Sequence, residues 1–306
     1  MDTILITGGT GMIGRALTQQ LTRKGHPVIV LSRNPQKGQP QNGVQYAAWN
    51  IGAGTIDEQA VAEADVVVHL AGANVAQGRW TAARKKELVD SRVQSGALLV
   101  KALRETPNQV HTVVSASAIG WYGADAQVPN PKPFAETAPA DDAFLGRTCA
   151  QWEAAIEPVE ELNKRLVVLR IGIVLDNGGG AFAAFKKPAQ FGIQTTLGTG
   201  KQVISWIHIT DVVGLFEKAI ADKKMTGVYN AVAPQPVTNE AMMREIGRHG
   251  LQVASVKVPP FLLKMALGEM SVEVLKSATV SSSKVEAAGY AFRFPSIQTA
   301  VANLMR

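Results

Sequence analysis

Residues 6–17, "ITGGTGMIGRAL", decide the fold: Gly8, Gly9, Gly11 and Gly14 separate an apolar run from a helical pattern. The run before them, "TILIT" at 3–7, is short and β-rich, and Ile13, Leu17 and Leu21 after them fall at helical spacing over 12–24. With "PVIVLS" at 27–32 as a second apolar run, the segment reads as a βαβ unit. Gly8, Gly11 and Gly14 have the spacing G-x-x-G-x-x-G between strand and helix. In such a turn Gly8 permits the sharp reversal, Gly11 lets backbone approach a diphosphate, and Gly14 lets the helix pack closely on the sheet. The free N–H groups and the dipole at the helix start favour negative charge. A glycine turn alone is weak, because a tight strand-to-helix turn needs no ligand; its place after the first strand of a βαβ unit is what points to a dinucleotide.

The end of the second strand selects the nucleotide. An Asp or Glu there accepts from the ribose 2′-hydroxyl of NAD, but "LSRNPQK" at 31–37 offers Ser32, Arg33 and Asn34 and no carboxylate. Arg33, with Lys37 nearby, supplies cations suited to a 2′-phosphate, and its planar guanidinium can also stack on adenine. NADP is therefore the expected cofactor; the plain alternative is that Arg33 is an ordinary surface residue.

Further out, "ADVVVHLAG" at 64–72, "VHTVVSAS" at 110–117 and "RLVVLRIG" at 165–172 are apolar runs, each after a segment that can be helical. Continuous apolarity is what a sheet covered on both faces demands, and strands alternating with helices imply parallel order. The expectation is an α/β fold: a Rossmann-type doubly wound parallel sheet with a smaller C-terminal mixed α/β domain. Residues 1–172 form the dinucleotide-binding domain, 203–233 return to it, and 173–202 with 234–306 form a small substrate or lid domain. In the latter, "PPFLLKMALGEMSVEVL" at 259–275 carries a Met and Leu stripe read as core, since its flanks lack the basic face of a membrane-surface helix.

Composition narrows the function classes. Of 306 residues, 46% are hydrophobic and 18% charged, enough for a large core. The one cysteine, Cys149, excludes a disulfide framework, and no Cys or His cluster has zinc spacing, so no metal is expected. The early apolar strand leaves no room for a signal peptide and no run is long enough to span a bilayer, which makes cytoplasmic the expected location and excludes a membrane partner. The net charge of +6 is spread along the chain, and "ARKKE" at 83–87, its densest run, reads as a solvated helix face; no nucleic acid is expected. A small anionic ligand explains any functional positive charge better. A homodimer is compatible with the sequence.

The order of "TGGTGMIG", "HLAGA" at 69–73, "SASAIGWYG" at 115–123 and "WIHITDVV" at 206–213 resembles the extended short-chain dehydrogenase/reductases, the group that contains nucleotide-sugar epimerases and dehydratases. "RWTAARKKELVDSR" at 79–92, "WEAA" at 152–155, "GVYNAVAP" at 227–234 and "LGEMSVEVLKSATVSSSKVEAAGYAF" at 267–292 are similar, more narrowly, to the atypical YfcH-type branch called epimerase-family proteins. The resemblance implies that Gly8, Thr10, Gly11, Met12 and Ile13 surround the pyrophosphate and Arg33 the adenosine phosphate. It places Leu70, Ala71 and Gly72, at the end of the fourth strand, beneath adenine and its ribose, and Ser115 and Ala116, on the fifth, beside the nicotinamide ribose. Ser117 matches the Ser or Thr that hydrogen-bonds a substrate oxygen; the plain alternative is a turn hydroxyl.

One motif of that group is missing. Its members carry Tyr-x-x-x-Lys on the helix after the Ser, the tyrosine exchanging a proton and the lysine lowering its pKa. Aligning Glu153 of "WEAA" with the acid that follows the lysine puts Leu145 at the tyrosine and Cys149 at the lysine, and neither substitutes. The remaining candidates are Tyr122, the nearest phenol in sequence to Ser117, for which an aromatic pocket wall is the plain and favoured alternative, and Arg92, on the helix matching the one that approaches nicotinamide; His208 and Asp211 read as a polar junction. The catalytic expectation is thus Ser117, Tyr122 and Arg92, in an NADP-binding epimerase-like oxidoreductase acting on a small molecule with a hydroxyl or carbonyl. The alternative is a non-catalytic NADP-responsive binding or regulatory protein.

Overall fold

A computed structural model of the chain describes residues 1–38, 42–250 and 253–305. Seven parallel strands form its centre: β1 (Ile4–Thr7), β2 (Val28–Ser32), β3 (Val44–Asn50), β4 (Val66–His69), β5 (Thr112–Ala118), β6 (Arg165–Ile171) and β7 (Gly227–Ala231). Their order across the sheet is β7-β6-β5-β4-β1-β2-β3, with Thr55–Ile56 added antiparallel beyond β3. The order reverses between β1 and β4, which opens a crevice outside the carboxyl ends of those strands.

The continuous apolar runs have the cause anticipated from them: both sheet faces are buried. Ile4, Ile6, Val28, Val30, Val66, Val68 and Val114 face one core, shared with Leu17 and Leu21 of helix α1 (Met12–Arg23). Leu5, Ile29, Leu31, Val67 and Val113 face the other, shared with Leu98, Leu99 and Leu103 of helix α2 (Ala82–Glu105). Helix α3 (Phe144–Ile156) packs along α2, and α4 (Ile209–Ala221) along α1, so the sheet is wound on both faces. Of the basic run at the start of α2, Arg84 pairs with Glu87, Lys86 with Asp90 and Lys85 with Glu269.

The smaller C-terminal unit is mixed α/β, and residues 203–208, expected with the larger domain, pair with its strands, whereas Gly227–Ala231 pairs in the main sheet. Trp206–His208 pairs in parallel with Ile173–Leu175, Val203–Ile204 antiparallel with Val237–Thr238, and Ala254–Val258 in parallel with Ile193–Leu197. Its own core gathers Phe182, Trp206, Met242, Met243, Ile246, Ile297 and Val301. The "PPFLLKMALGEMSVEVL" stripe is not core. Leu263 is buried, but Phe261 is 67%, Met265 63% and Val272 61% exposed. The helix Pro260–Leu267 is short and packs chiefly on the turn and helix that follow it, Gly268–Leu275, so one row of side chains is covered and the rest face outward. Among the described residues no helix is long and apolar enough to cross a membrane.

Candidate functional site

The glycine turn is packed tightly against its neighbours. Gly8 sits at φ +69°, and a Cβ there would lie 2.7 Å from the Leu70 carbonyl, so the turn is pressed against the end of β4. A Cβ at Gly14 would lie 2.3 Å from the Gly8 oxygen and 2.6 Å from Gly9 Cα; only glycine lets α1 start this close to the turn. Gly11 is the N-cap of α1, its N–H bonded to Gly8 O at 2.9 Å, and it brings no capping side chain. The first turn also lacks an acidic residue. Met12 and Ile13 are half-buried there, and Thr10 is exposed with its carbonyl accepting from Arg15 Nη1 at 2.8 Å. The result is an uncapped helix N-terminus at the switch point of the sheet, with no carboxylate in its first turn to compete with an anion.

The opposite wall is held by a buried relay. Thr7 Oγ1 accepts from the N–H groups of Leu70 and Ala71, each at 3.1 Å, and lies 2.8 Å from His69 Nδ1. The single Thr7 hydrogen therefore goes to Nδ1, which puts the imidazole proton on Nε2, 3.3 Å from Ser95 Oγ. Ser95 passes its hydrogen to Ser91 O at 2.7 Å. Burial, and secondarily the charge of Arg92, push His69 down to about 3, so the ring is neutral. These bonds fix the backbone of residues 70–71 at the end of β4. Gly72 follows under the Arg92 guanidinium, whose Cζ would stand 3.2 Å from a Cβ. Arg92 donates to Leu88 O at 2.9 Å and Ala73 O at 3.1 Å and lies over the Trp152 ring. At the end of β2, Ser32 accepts from the Asn34 N–H at 3.1 Å, and Arg33 is exposed on the loop.

β5 brings Ser115, Ala116 and Ser117 towards the same edge, but they differ in what they offer. Ser115 donates to Ala116 O at 3.1 Å and Ala116 faces the core, so neither side chain reaches into the crevice and only backbone remains for a cofactor. Ser117 donates to Glu153 Oε1 at 2.5 Å. Arg170, beside Ser117 in the β5–β6 register, grips both oxygens of Glu153 through Nε at 2.8 Å and Nη2 at 2.9 Å. Glu153 carries no sequence signal of this role beyond its place in "WEAA".

Tyr122, a candidate proton donor with a pocket wall as its plain alternative, is held within the fold by its partners. It is wholly buried, stacks on Phe134, donates to Asn230 Oδ1 at 2.7 Å and accepts from Arg170 at 3.1 Å. Burial raises its pKa, although Arg170 opposes the shift. A short turn, Ile119–Trp121, precedes it, and the phenol meets Arg170 and Asn230. Leu145 and Cys149 instead face the end of β5, within 3.3 and 3.6 Å of where a Gly120 Cβ would be. The Cys149 thiol is pushed up to about 12, first by burial and then by the Glu153 charge, so it is neutral.

His208 and Asp211 form the polar junction. His208 Nδ1 accepts from the Thr210 N–H at the start of α4, and its ring packs on Phe294. Burial lowers its pKa to about 4. Asp211 accepts from the N–H groups of Arg293 and Phe294 at 2.8 and 2.9 Å, which ties the C-terminal segment to α4.

A family model described as the NAD dependent epimerase/dehydratase family matches residues 4–144, and a domain of unknown function, DUF1731, matches 258–304. The chain is 33% identical over 303 residues to epimerase family protein YfhF of Bacillus subtilis, covering 99% of this chain and 97% of that one. It is 31% identical over 306 residues to epimerase family protein SDR39U1 of Mus musculus, covering 99% of each. The crystal structure of human SDR39U1 with NADPH superimposes with a TM-score of 0.86 at 30% identity, over 99% of both chains. A nucleoside-diphosphate sugar epimerase from Corynebacterium glutamicum gives 0.77 at 30% identity, over 99% of this chain and 58% of that one.

Proposed function

The chain belongs to the epimerase family, and on that premise we propose that it is an NADP-binding, epimerase-like oxidoreductase acting on a hydroxyl- or carbonyl-bearing small molecule. The observation that carries the reading is the uncapped N-terminus of α1 behind Gly8, Gly11 and Gly14, facing a β2 end that has Arg33 and no carboxylate. The human relative bound to NADPH supports the same choice of nucleotide. The backbone of Thr10 to Ile13 would hold the pyrophosphate, Arg33 the 2′-phosphate, and Leu70 to Gly72 the adenosine side of the crevice. When bound, NADP supplies hydride chemistry, which does not require the missing tyrosine.

The chain's own residues then have limited tasks. Ser117 positions the reacting oxygen at the end of β5. Arg92 keeps a positive charge against Gly72 and clamps the loop after β4 through Ala73. The smaller C-terminal unit closes the substrate side. Titration of the purified chain with NADPH and NADH tests the cofactor: NADPH should bind at least about tenfold tighter, and Arg33→Ala should abolish that preference. Equal affinities in the unaltered chain refute it.

A second reading, a non-catalytic NADP-responsive binding protein, is favoured by one observation. Leu145 has no proton to give and the Cys149 thiol, held neutral, brings no charge where they face β5, and Tyr122 is turned away. Hydride transfer that is lost in Ser117→Ala, either reduction of bound NADP⁺ by an added alcohol or oxidation of bound NADPH by an added carbonyl compound, decides for the enzyme. Failure across a broad set of both alcohols and carbonyls, with a protein partner whose affinity follows NADP, decides for the binder.

A further inference from the structure

Ser117 arrives at the site with its only hydrogen committed. The Oγ of Ser117 is 2.5 Å from Glu153 Oε1, and that carboxylate is gripped at both oxygens by Arg170, in an ion pair whose side chains are 3% and 13% exposed. A carboxylate so paired accepts and cannot donate, so the hydrogen between them belongs to Ser117. Arg170 has little freedom to release Glu153. Its guanidinium lies 3.5 Å from the Trp121 ring centre and donates to Tyr122 Oη and Glu136 O, both at 3.1 Å. Tyr122 is locked in turn by Asn230, whose backbone N–H is held by Glu136 Oε1 at 2.8 Å.

We propose that this anchor makes Ser117 an acceptor-only contact, so that the site takes up ligands presenting a hydroxyl to Ser117 and discriminates against the carbonyl of the same skeleton. The proposal rests on Ser117 being the ligand-facing group of the function given above. An alcohol oxygen brings its own hydrogen to the Ser117 lone pairs. A carbonyl oxygen brings only lone pairs, and two acceptors with no hydrogen between them leave both groups unsatisfied in a buried place. To serve a carbonyl, Ser117 would have to turn its hydrogen from Glu153, leaving the carboxylate one donor short. Glu153 is thus a positioning residue that sets the polarity of the contact.

Cyclohexanol and cyclohexanone, which share a skeleton and differ at the oxygen-bearing carbon, test this on the full chain. Saturation-transfer NMR, run without nucleotide and again with NADP⁺, reads binding and not turnover. The alcohol should bind about tenfold tighter than the ketone, and Ser117→Ala and Glu153→Gln should each bring the ratio to within about twofold of unity. A Glu153 with only a structural part would weaken both probes together and leave the ratio intact. Should Glu153→Gln fail to fold, Ser117→Ala still decides. Equal binding, preference for the ketone, a ratio that survives Ser117→Ala, or no binding of either probe overturns the proposal. The cofactor reading is judged separately by NADPH titration of the same sample: loss of NADPH binding with the ratio preserved refutes that reading and leaves this one standing.

Discussion

Individual residues decide whether the crevice is built and how it responds to pH. Gly14 has no space for a methyl group, so Gly14→Ala should destabilise the chain by about 1–3 kcal/mol, read as a lowered urea midpoint, and weaken NADPH binding with it. An unchanged midpoint would mean that the turn relaxes freely. Removing Arg170 is harsher. Arg170→Met leaves the Glu153 carboxylate buried and unpaired, with an expected cost of about 3–5 kcal/mol, and the double change with Glu153→Gln should recover part of it.

The sign of the pH dependence follows from His69. Its folded pKa, about 3, lies below the unfolded value of about 6.5, so acid protonates the unfolded chain first. The stability it contributes is complete above the unfolded value and drains away as pH falls towards the folded one. His208, held at about 4, acts in the same direction, while Asp211, raised by burial, opposes both. Between about pH 7 and pH 5 each histidine should remove up to about 2 kcal/mol, and His69→Gln should flatten the slope of urea midpoint against pH. A midpoint indifferent to pH over that range would contradict the buried neutral ring.

At the scale of elements, α1 carries a deliberate omission. A helix N-terminus ordinarily gains from Asp or Ser at the cap, yet Gly11 leaves it bare with φ −73° and ψ 175°, values open to any residue. Gly11→Asp should therefore raise helix stability by about 0.5–1 kcal/mol while placing a negative charge against the phosphates. The expected outcome is a higher melting temperature with NADPH affinity reduced at least about tenfold. Calorimetry showing undiminished affinity would remove α1 from the phosphate site. The strands and α1 were legible because a two-face buried strand and an amphipathic helix each print a local period. The helix at Pro260–Leu267 was misread for the converse reason: a period states that one face is apolar, and whether anything covers that face depends on the rest of the chain.

On the scale of the whole molecule, the C-terminal unit is joined to the sheet by a shared core, which Ile207 and Val285 enter, and by polar contacts. Asp125 is the densest stitch. It accepts from Asn130 Nδ2, Ser277 Oγ and Thr279 Oγ1, each at 2.8 Å, and from the Thr279 N–H at 2.9 Å. Asp125→Ala should raise amide exchange in residues 123–134 and 277–282 and leave β1 to β6 protected. Uniform loss of protection would show that the two parts unfold as one body.

What the sequence by itself determined is the parallel sheet, the glycine cradle at its switch point and a β2 end without a carboxylate. The cradle and the β2 end are written within one βαβ unit and the sheet in successive apolar runs along the chain, in each of which backbone geometry follows local spacing. Tertiary structure alone decided that Ser117 faces Glu153 and Arg170, that Tyr122 points inward to Asn230, and that Phe261 and Met265 stay uncovered. Those outcomes depend on strand register and on which helix face meets which strand. A side chain's hydrogen-bond partner there comes from tens of residues away, and no local period encodes it.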